Sequence, residues 1–210
     1  MGFESFRHDE RTATTMIRRA RRSAFLCIAV LVMLGALVWV DRAGGTVMQA
    51  LSLPRMTQAS QLAVVGTVTG RSAGWRGGWI VTRSEVLVER IVHNELERTP
   101  MRITVTTLGG ETEGRGLWVP GEAYLRPGCR YLLFTAESVD HMRLVAMAQS
   151  ALPVVQTDQG QMVMPPAALG LVSMDDGTMR PALPFLTQPQ PLEGVIARIQ
   201  ASAQEPSCTD

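Results

Sequence analysis

Gln61-Leu62-Ala63-Val64-Val65-Gly66-Thr67-Val68-Thr69 is the stretch on which the fold reading turns. It is rich in β-branched residues, ends at Gly70, and carries one interruption, Gly66, where a bulge or a close backbone approach is expected. Beyond a turn-rich segment at Ser72 to Gly78, Trp79 to Val92 reads as one long strand or two strands joined by a bend near Ser84-Glu85, with Ile80, Val86, Val88 and Ile91 facing the core. Met101 to Leu108 alternates, Ile103 and Val105 inward and Thr104 and Thr106 outward. Arg130 to Thr135 has its apolar residues in a row, as a strand buried on both faces would. His141 to Met147 pairs with it as a hairpin across Ser138-Val139-Asp140. Leu117 to Val119, Leu152 to Val155 and Gln161 to Met164 add short strands. Strands this short, with turns between them and no crossover helices, indicate a small antiparallel barrel or sandwich.

The flanks read differently. Ser52 is placed to cap a short helix carrying Met56 and Ala59, with Pro54 in its first turn. Pro181, Pro184, Pro189 and Pro191 hold an extended stretch that can be neither a helix nor a central strand. From Leu192 the residues Val195, Ile196 and Ile199 follow the i, i+3, i+4, i+7 spacing of an amphipathic helix that packs on the β domain.

Ala24 to Val40 is a run of seventeen residues without a charge. As a helix it would cover roughly 26 Å, close to a thin bilayer's hydrocarbon core, and its apolar residues point around the whole axis. Arg7, Arg11, Arg18, Arg19, Arg21 and Arg22 precede it and only Arg42 follows closely, so the amino terminus is expected in the cytoplasm and the remainder outside. A retained anchor is preferred to a cleaved signal. The run exceeds a usual signal core, and the nearest cleavage position, after Ala43, has Asp41 where a small residue belongs. The expected organisation is a cytoplasmic tail (1–22), a transmembrane signal-anchor (23–42), a spacer with a short helix (43–60), the β-barrel (61–165), and a Pro-rich extension with the carboxy-terminal helix (166–210).

All twenty basic residues are Arg. Beyond residue 42 thirteen of them face fifteen acidic residues, which is not the basic footprint of a nucleic-acid surface. No nucleic acid is expected as a partner. Cys129 and Cys208 lie outside the expected anchor, where an oxidising compartment allows them to pair or to remain two free thiols. Closing that loop would stabilise the fold by roughly 4 kcal/mol on the chain-entropy account.

Ala59 to Val68, then Ile80-Val81-Thr82 with Val86-Leu87-Val88-Glu89, Gly109-Gly110, and Pro127-Gly128-Cys129-Arg130-Tyr131-Leu132-Leu133-Phe134 form an ordered set. Over about residues 50 to 165 this order resembles the bacterial relatives of netrin-like modules, OB-type five-stranded barrels whose best-known members are tissue inhibitors of metalloproteases. The resemblance implies an OB-like barrel and an exported interaction module. In those inhibitors an amino-terminal cysteine chelates the protease metal. No cysteine starts the domain here, so that mechanism does not carry over.

No catalytic set stands out. His-Glu-x-x-His and Gly-x-Ser-x-Gly are absent, the Gly109 to Gly116 loop lacks the Lys-Ser/Thr of a phosphate loop, and no cofactor is implied. His93-Asn94-Glu95-Leu96-Glu97 has metal-ligand residue types but reads more simply as a solvated turn. Cys129 and His141 are spaced to meet across a hairpin, without a third group to orient them. Trp75, Trp79 and Trp118 have two readings: plugs at the barrel ends, favoured for Trp79, or a partner-binding face. The expected function is a non-catalytic, membrane-anchored module of the bacterial envelope that binds a protein partner through the Gly70 to Trp79 and Gly109 to Trp118 loops. The alternatives are a regulator or inhibitor of an exported protease, and a hydrolase or metalloenzyme using His93 and His141.

Overall fold

Why Gln61 to Thr69 matters is visible in its pairings: it is the strand that both neighbours of the core sheet clasp. The structure, a computed structural model, describes residues 48–166, 171–175 and 178–204. The expected tail, the anchor at 23–42 and Cys208 lie outside the described residues. Among the described residues no helix is long and apolar enough to cross a membrane.

In chain order the elements are β1 (Met48–Gln49), α1 (Leu53–Gln58), β2 (Leu62–Arg76), β3 (Trp79–Asn94), β4 (Arg102–Leu108), β5 (Gly110–Thr112) and β6 (Arg115–Leu117). They continue with β7 (Arg130–Ser138), β8 (His141–Leu144), β9 (Ala151–Thr157), β10 (Gly160–Val163), β11 (Leu171–Asp175), β12 (Thr178–Pro181), β13 (Gln190–Pro191) and α2 (Leu192–Gln204). The domain is mainly β with a helix at its carboxy-terminal end.

The pairings β2–β3, β3–β4, β4–β8, β8–β7 and β7–β2 close a circuit of five strands. Four of them are antiparallel and β4–β8 is parallel, a departure from the all-antiparallel expectation. The reason is parity, since a ring with an odd number of strands cannot alternate direction throughout. Along its second edge β7 pairs with β8 through Thr135 to Ser138 and with β9 through Arg130 to Leu133. From there β10 and β13 extend the sheet.

Side chains on a strand alternate between faces, and β2 and β7 use both. Leu62, Val64 and Val68 join Tyr131, Leu133, Val86, Ile103, Val105 and Met142 in one core inside the circuit. Ala63 and Val65 join Leu132 and Phe134 in a second core, against Leu53 and Met56 of α1 and Val195, Ile196 and Ile199 of α2. The helix read from Val195, Ile196 and Ile199 packs on the β domain as expected, sharing this second core with residues of β2 and β7 and lying nearest β3, β10 and β13. Ser52 caps α1 by accepting a 3.4 Å bond from the Arg55 amide.

The interruption expected at Gly66 appears as a register shift at Val65/Gly66, flanked by shifts at Ala63/Val64 and Val68/Gly70, and Trp79–Asn94 is the one-long-strand alternative rather than two strands. Ile80 and Val86 are buried as expected, and Val88 and Ile91 are half-buried against the inner core. Several elements depart from the sequence reading. Ser72 to Arg76 is not a loop but the end of β2, Gly110 to Leu117 is the β5–β6 hairpin rather than a loop, and the strand expected at Leu117 to Val119 stops at Leu117. A small sheet of β1, β11 and β12 was not legible.

Candidate functional site

The β2–β3 hairpin outruns its neighbours. β7 pairs with β2 only from Leu62 to Thr67, whereas β2–β3 pairing continues to Arg76↔Trp79. On this extension the cross-strand pairs Arg71↔Ser84, Ala73↔Thr82 and Trp75↔Ile80 share one face, continuous with the inner face that carries Val68 and Val86. The pairs Ser72↔Arg83, Gly74↔Val81 and Arg76↔Trp79 share the other. Trp75 and Trp79 are therefore on opposite faces. Trp79 plugs nothing, with 61% of its surface exposed.

The β5–β6 hairpin lies across the Trp75 face. Gly110 makes this approach possible, because at φ 131° a Cβ there would stand 2.4 Å from Thr82 Oγ1 and 3.0 Å from Ala73 Cβ. Thr82 Oγ1 donates to the Gly109 carbonyl at 2.6 Å, locking the base of the crossing. At its tip, Trp75 Nε1 donates to Glu113 Oε2 at 3.2 Å, and the Arg115 guanidinium lies 6.0 Å from the Trp75 ring centroid. Trp118 follows β6 directly and is 78% exposed. The structure thus brings Trp75 and Trp118 to the same hairpin and leaves Trp79 out.

Sequence reading missed what completes this face. Tyr124 is exposed, and the Arg71 guanidinium lies 3.9 Å from its ring centroid. Arg71, Leu108, Trp118 and Tyr124 border a cleft of about 460 Å³. On the far side of the Trp118 to Tyr124 segment a second, about 760 Å³, runs along Pro153 and Val155. Tyr124 sits in Val119 to Pro127, which has no apolar period, and the one available signal was an aromatic residue in a loop bounded by Pro and Gly.

Glu122 borders both clefts. Burial raises its pKa, opposed by the Ala123 amide, 3.2 Å from Oε1, and the Leu108 amide, 3.3 Å from Oε2. Folding thus disfavours the charged carboxylate.

The Trp79 face is tied down by charge. Arg76 reaches Asp140 Oδ1 at 2.7 Å and His141 Nδ1 at 3.0 Å, and His141 Nδ1 is also 2.7 Å from Asp140 Oδ1. Nδ1 accepts from Arg76 only without a proton and donates to Asp140 only with one, so the two contacts alternate with the tautomer. The hydrogen bond from His141, then that from Arg76, holds Asp140 at a pKa of about 2. A depressed carboxyl stabilises the fold above its unfolded pKa, about 3.9, and that contribution is lost as pH falls through the folded value. We expect an NMR titration of the Asp140 carboxyl to show a midpoint of about 2, rising in Arg76→Ala. A midpoint at the ordinary carboxylate value in the native chain would contradict the arrangement.

His93 is a different environment. Its Nε2 lies 3.2 Å from the Ser60 carbonyl and 3.3 Å from Glu95 Oε1. Asn94 builds the following turn, accepting from the Leu96 amide at 3.0 Å and donating to the Arg98 carbonyl at 3.1 Å. Among the described residues no three His, Cys, Asp or Glu side chains form a group able to hold a metal. Cys129 is exposed and precedes β7, while His141 follows that strand. His141 pairs with Ser138 at the far end of β7, and at about 3.3 Å per residue the strand keeps them roughly 30 Å apart, so they do not meet across the hairpin. No protein-family model matches the chain, and no curated protein or solved structure is significantly similar to it.

Proposed function

We propose that this chain is a non-catalytic binding module, held outside the cytoplasmic membrane by residues 23–42, that engages an envelope protein through the face carrying Trp75 and Trp118. The observation that carries the reading is the exposure of these two rings at the two ends of the β5–β6 hairpin, Trp118 at 78% after its base and Trp75 at 45% beside its tip. Exposed aromatics on a braced backbone make good anchors, because a partner gains their area with little ordering cost. The orientation rests on the charge-free run and the arginines before it.

We take the five-strand circuit to be an OB-type barrel. A ring of five strands with its single parallel seam at β4–β8 is compatible with that Greek-key arrangement. The netrin-like resemblance gives the same fold.

Affinity capture from envelope extracts, with the partner identified and its binding measured, tests the reading. Trp75→Ala and Trp118→Ala should each weaken capture by about 30-fold, the effect of losing an aromatic hot spot of about 2 kcal/mol. Trp79→Ala, on the opposite face, should leave it unchanged. Equal capture by all three variants would sink the assignment of this face.

A further inference from the structure

The two clefts beside Trp118 and Tyr124 carry a second inference that does not depend on the protein partner. The Trp118 to Tyr124 segment is their shared wall, and each has the volume of a small-molecule site. Both rings stand exposed on it, Tyr124 with one face covered by Arg71.

Charge narrows the ligand. The smaller cleft sets the Arg71 guanidinium among the Glu111 and Glu122 carboxylates. The larger sets Glu122 beside Arg126 and Arg130. Arg130 is itself occupied, its Nε 2.6 Å from Glu89 Oε2, although that N–H is not aligned for a hydrogen bond. Neither sign dominates, so an anion drawn to Arg71 meets two carboxylates and a cation meets the guanidinia.

What remains is hydrogen-bonding capacity without net charge. Arg71 makes one long bond, Nη2 to Thr82 Oγ1 at 3.4 Å, and keeps further donors. Each Glu122 oxygen takes one backbone amide and retains a lone pair. Planar donors and acceptors beside open aromatic faces match a ligand with flat C–H faces and hydroxyls at its rim.

We propose that these paired clefts bind a neutral oligosaccharide, its sugar rings stacked on Trp118 and the open face of Tyr124, its hydroxyls bridging Arg71, Glu111 and Glu122. Calorimetric titration of the full chain in lipid nanodiscs with cellotetraose, chitotetraose and maltotetraose tests this. At least one should bind with Kd below about 1 mM, and Tyr124→Ala and Trp118→Ala should each weaken it at least about tenfold. Arg71→Lys, which keeps the charge but not the planar fork, should weaken it too, and Trp79→Ala should not. No binding of any of the three sugars, binding indifferent to Tyr124→Ala and Trp118→Ala, or tighter binding of an apolar tetrapeptide would overturn the proposal. Protein capture that still depends on Trp75 while no sugar binds would overturn this inference and leave the protein-binding reading standing.

Discussion

Gly66→Val is expected to destabilise the domain by about 3 kcal/mol or more, enough to remove a large part of the stability of a domain this size. A Cβ at Gly66 would lie 2.6 Å from the Leu87 carbonyl oxygen and 2.8 Å from Val86 Cγ1. The first of these is backbone, which cannot swing aside. The position also sits at the Val65/Gly66 register shift, where β3 crowds β2. Relieving the clash would mean moving the bulge, and with it the side-chain parity that sends Val64 and Val68 into one core and Val65 into the other. Gly74 in the same strand is the control, because a Cβ there meets nothing within 4 Å. Gly74→Ala should change stability by no more than about 0.5 kcal/mol. Urea denaturation of both variants measures the contrast, and equal midpoints would mean the β2–β3 register is misassigned.

Phe134→Ala should cost about 3–5 kcal/mol. Phe134 is fully buried on the outer face of β7, in the core that joins the sheet to α1 and α2. The cavity would open where sheet and helices meet, between Met56, Val195 and Ile199, and a rigid strand cannot collapse to fill it. The expected signature is a lower denaturation midpoint with an unchanged slope. A loss below about 1 kcal/mol would mean that the helices do not cover this face.

The fold was legible where one physical rule governed a whole segment. Arg130 to Thr135 read as buried on both faces because it is so, and Gly66 read as a close approach because a β-branched run tolerates no glycine without a reason. Leu192 onward read as a helix from apolar spacing alone. The hairpin extension was not legible, because Ser72, Gly74 and Arg76 pair through backbone with one side open, and backbone pairing leaves no hydrophobic period. The β5–β6 hairpin was hidden for the same reason.

The site was half-legible. Trp75 and Trp118 could be nominated as aromatics near glycine turns, yet nothing local says which face of the hairpin continues the core. The two-residue Gly77-Gly78 turn pairs Arg76 with Trp79 and so puts Trp75 and Trp79 on opposite faces, while the register shifts at Val65/Gly66 and Val68/Gly70, several residues away, decide that the Trp75 face is the one continuous with the inner core. Tyr124 and Arg71 come together across more than fifty residues of chain, and no local pattern encodes that meeting.

The central claim, an exported module that binds through one aromatic face, is tested most directly by photo-crosslinking in intact cells. A photoreactive residue would replace Trp75, Trp118, Trp79 or the fully exposed Val139 in separate full-length chains. The account predicts adducts with an envelope component from positions 75 and 118 and none from 79 or 139. Adducts with cytoplasmic proteins, or adducts from 79 and 139 alone, would contradict it.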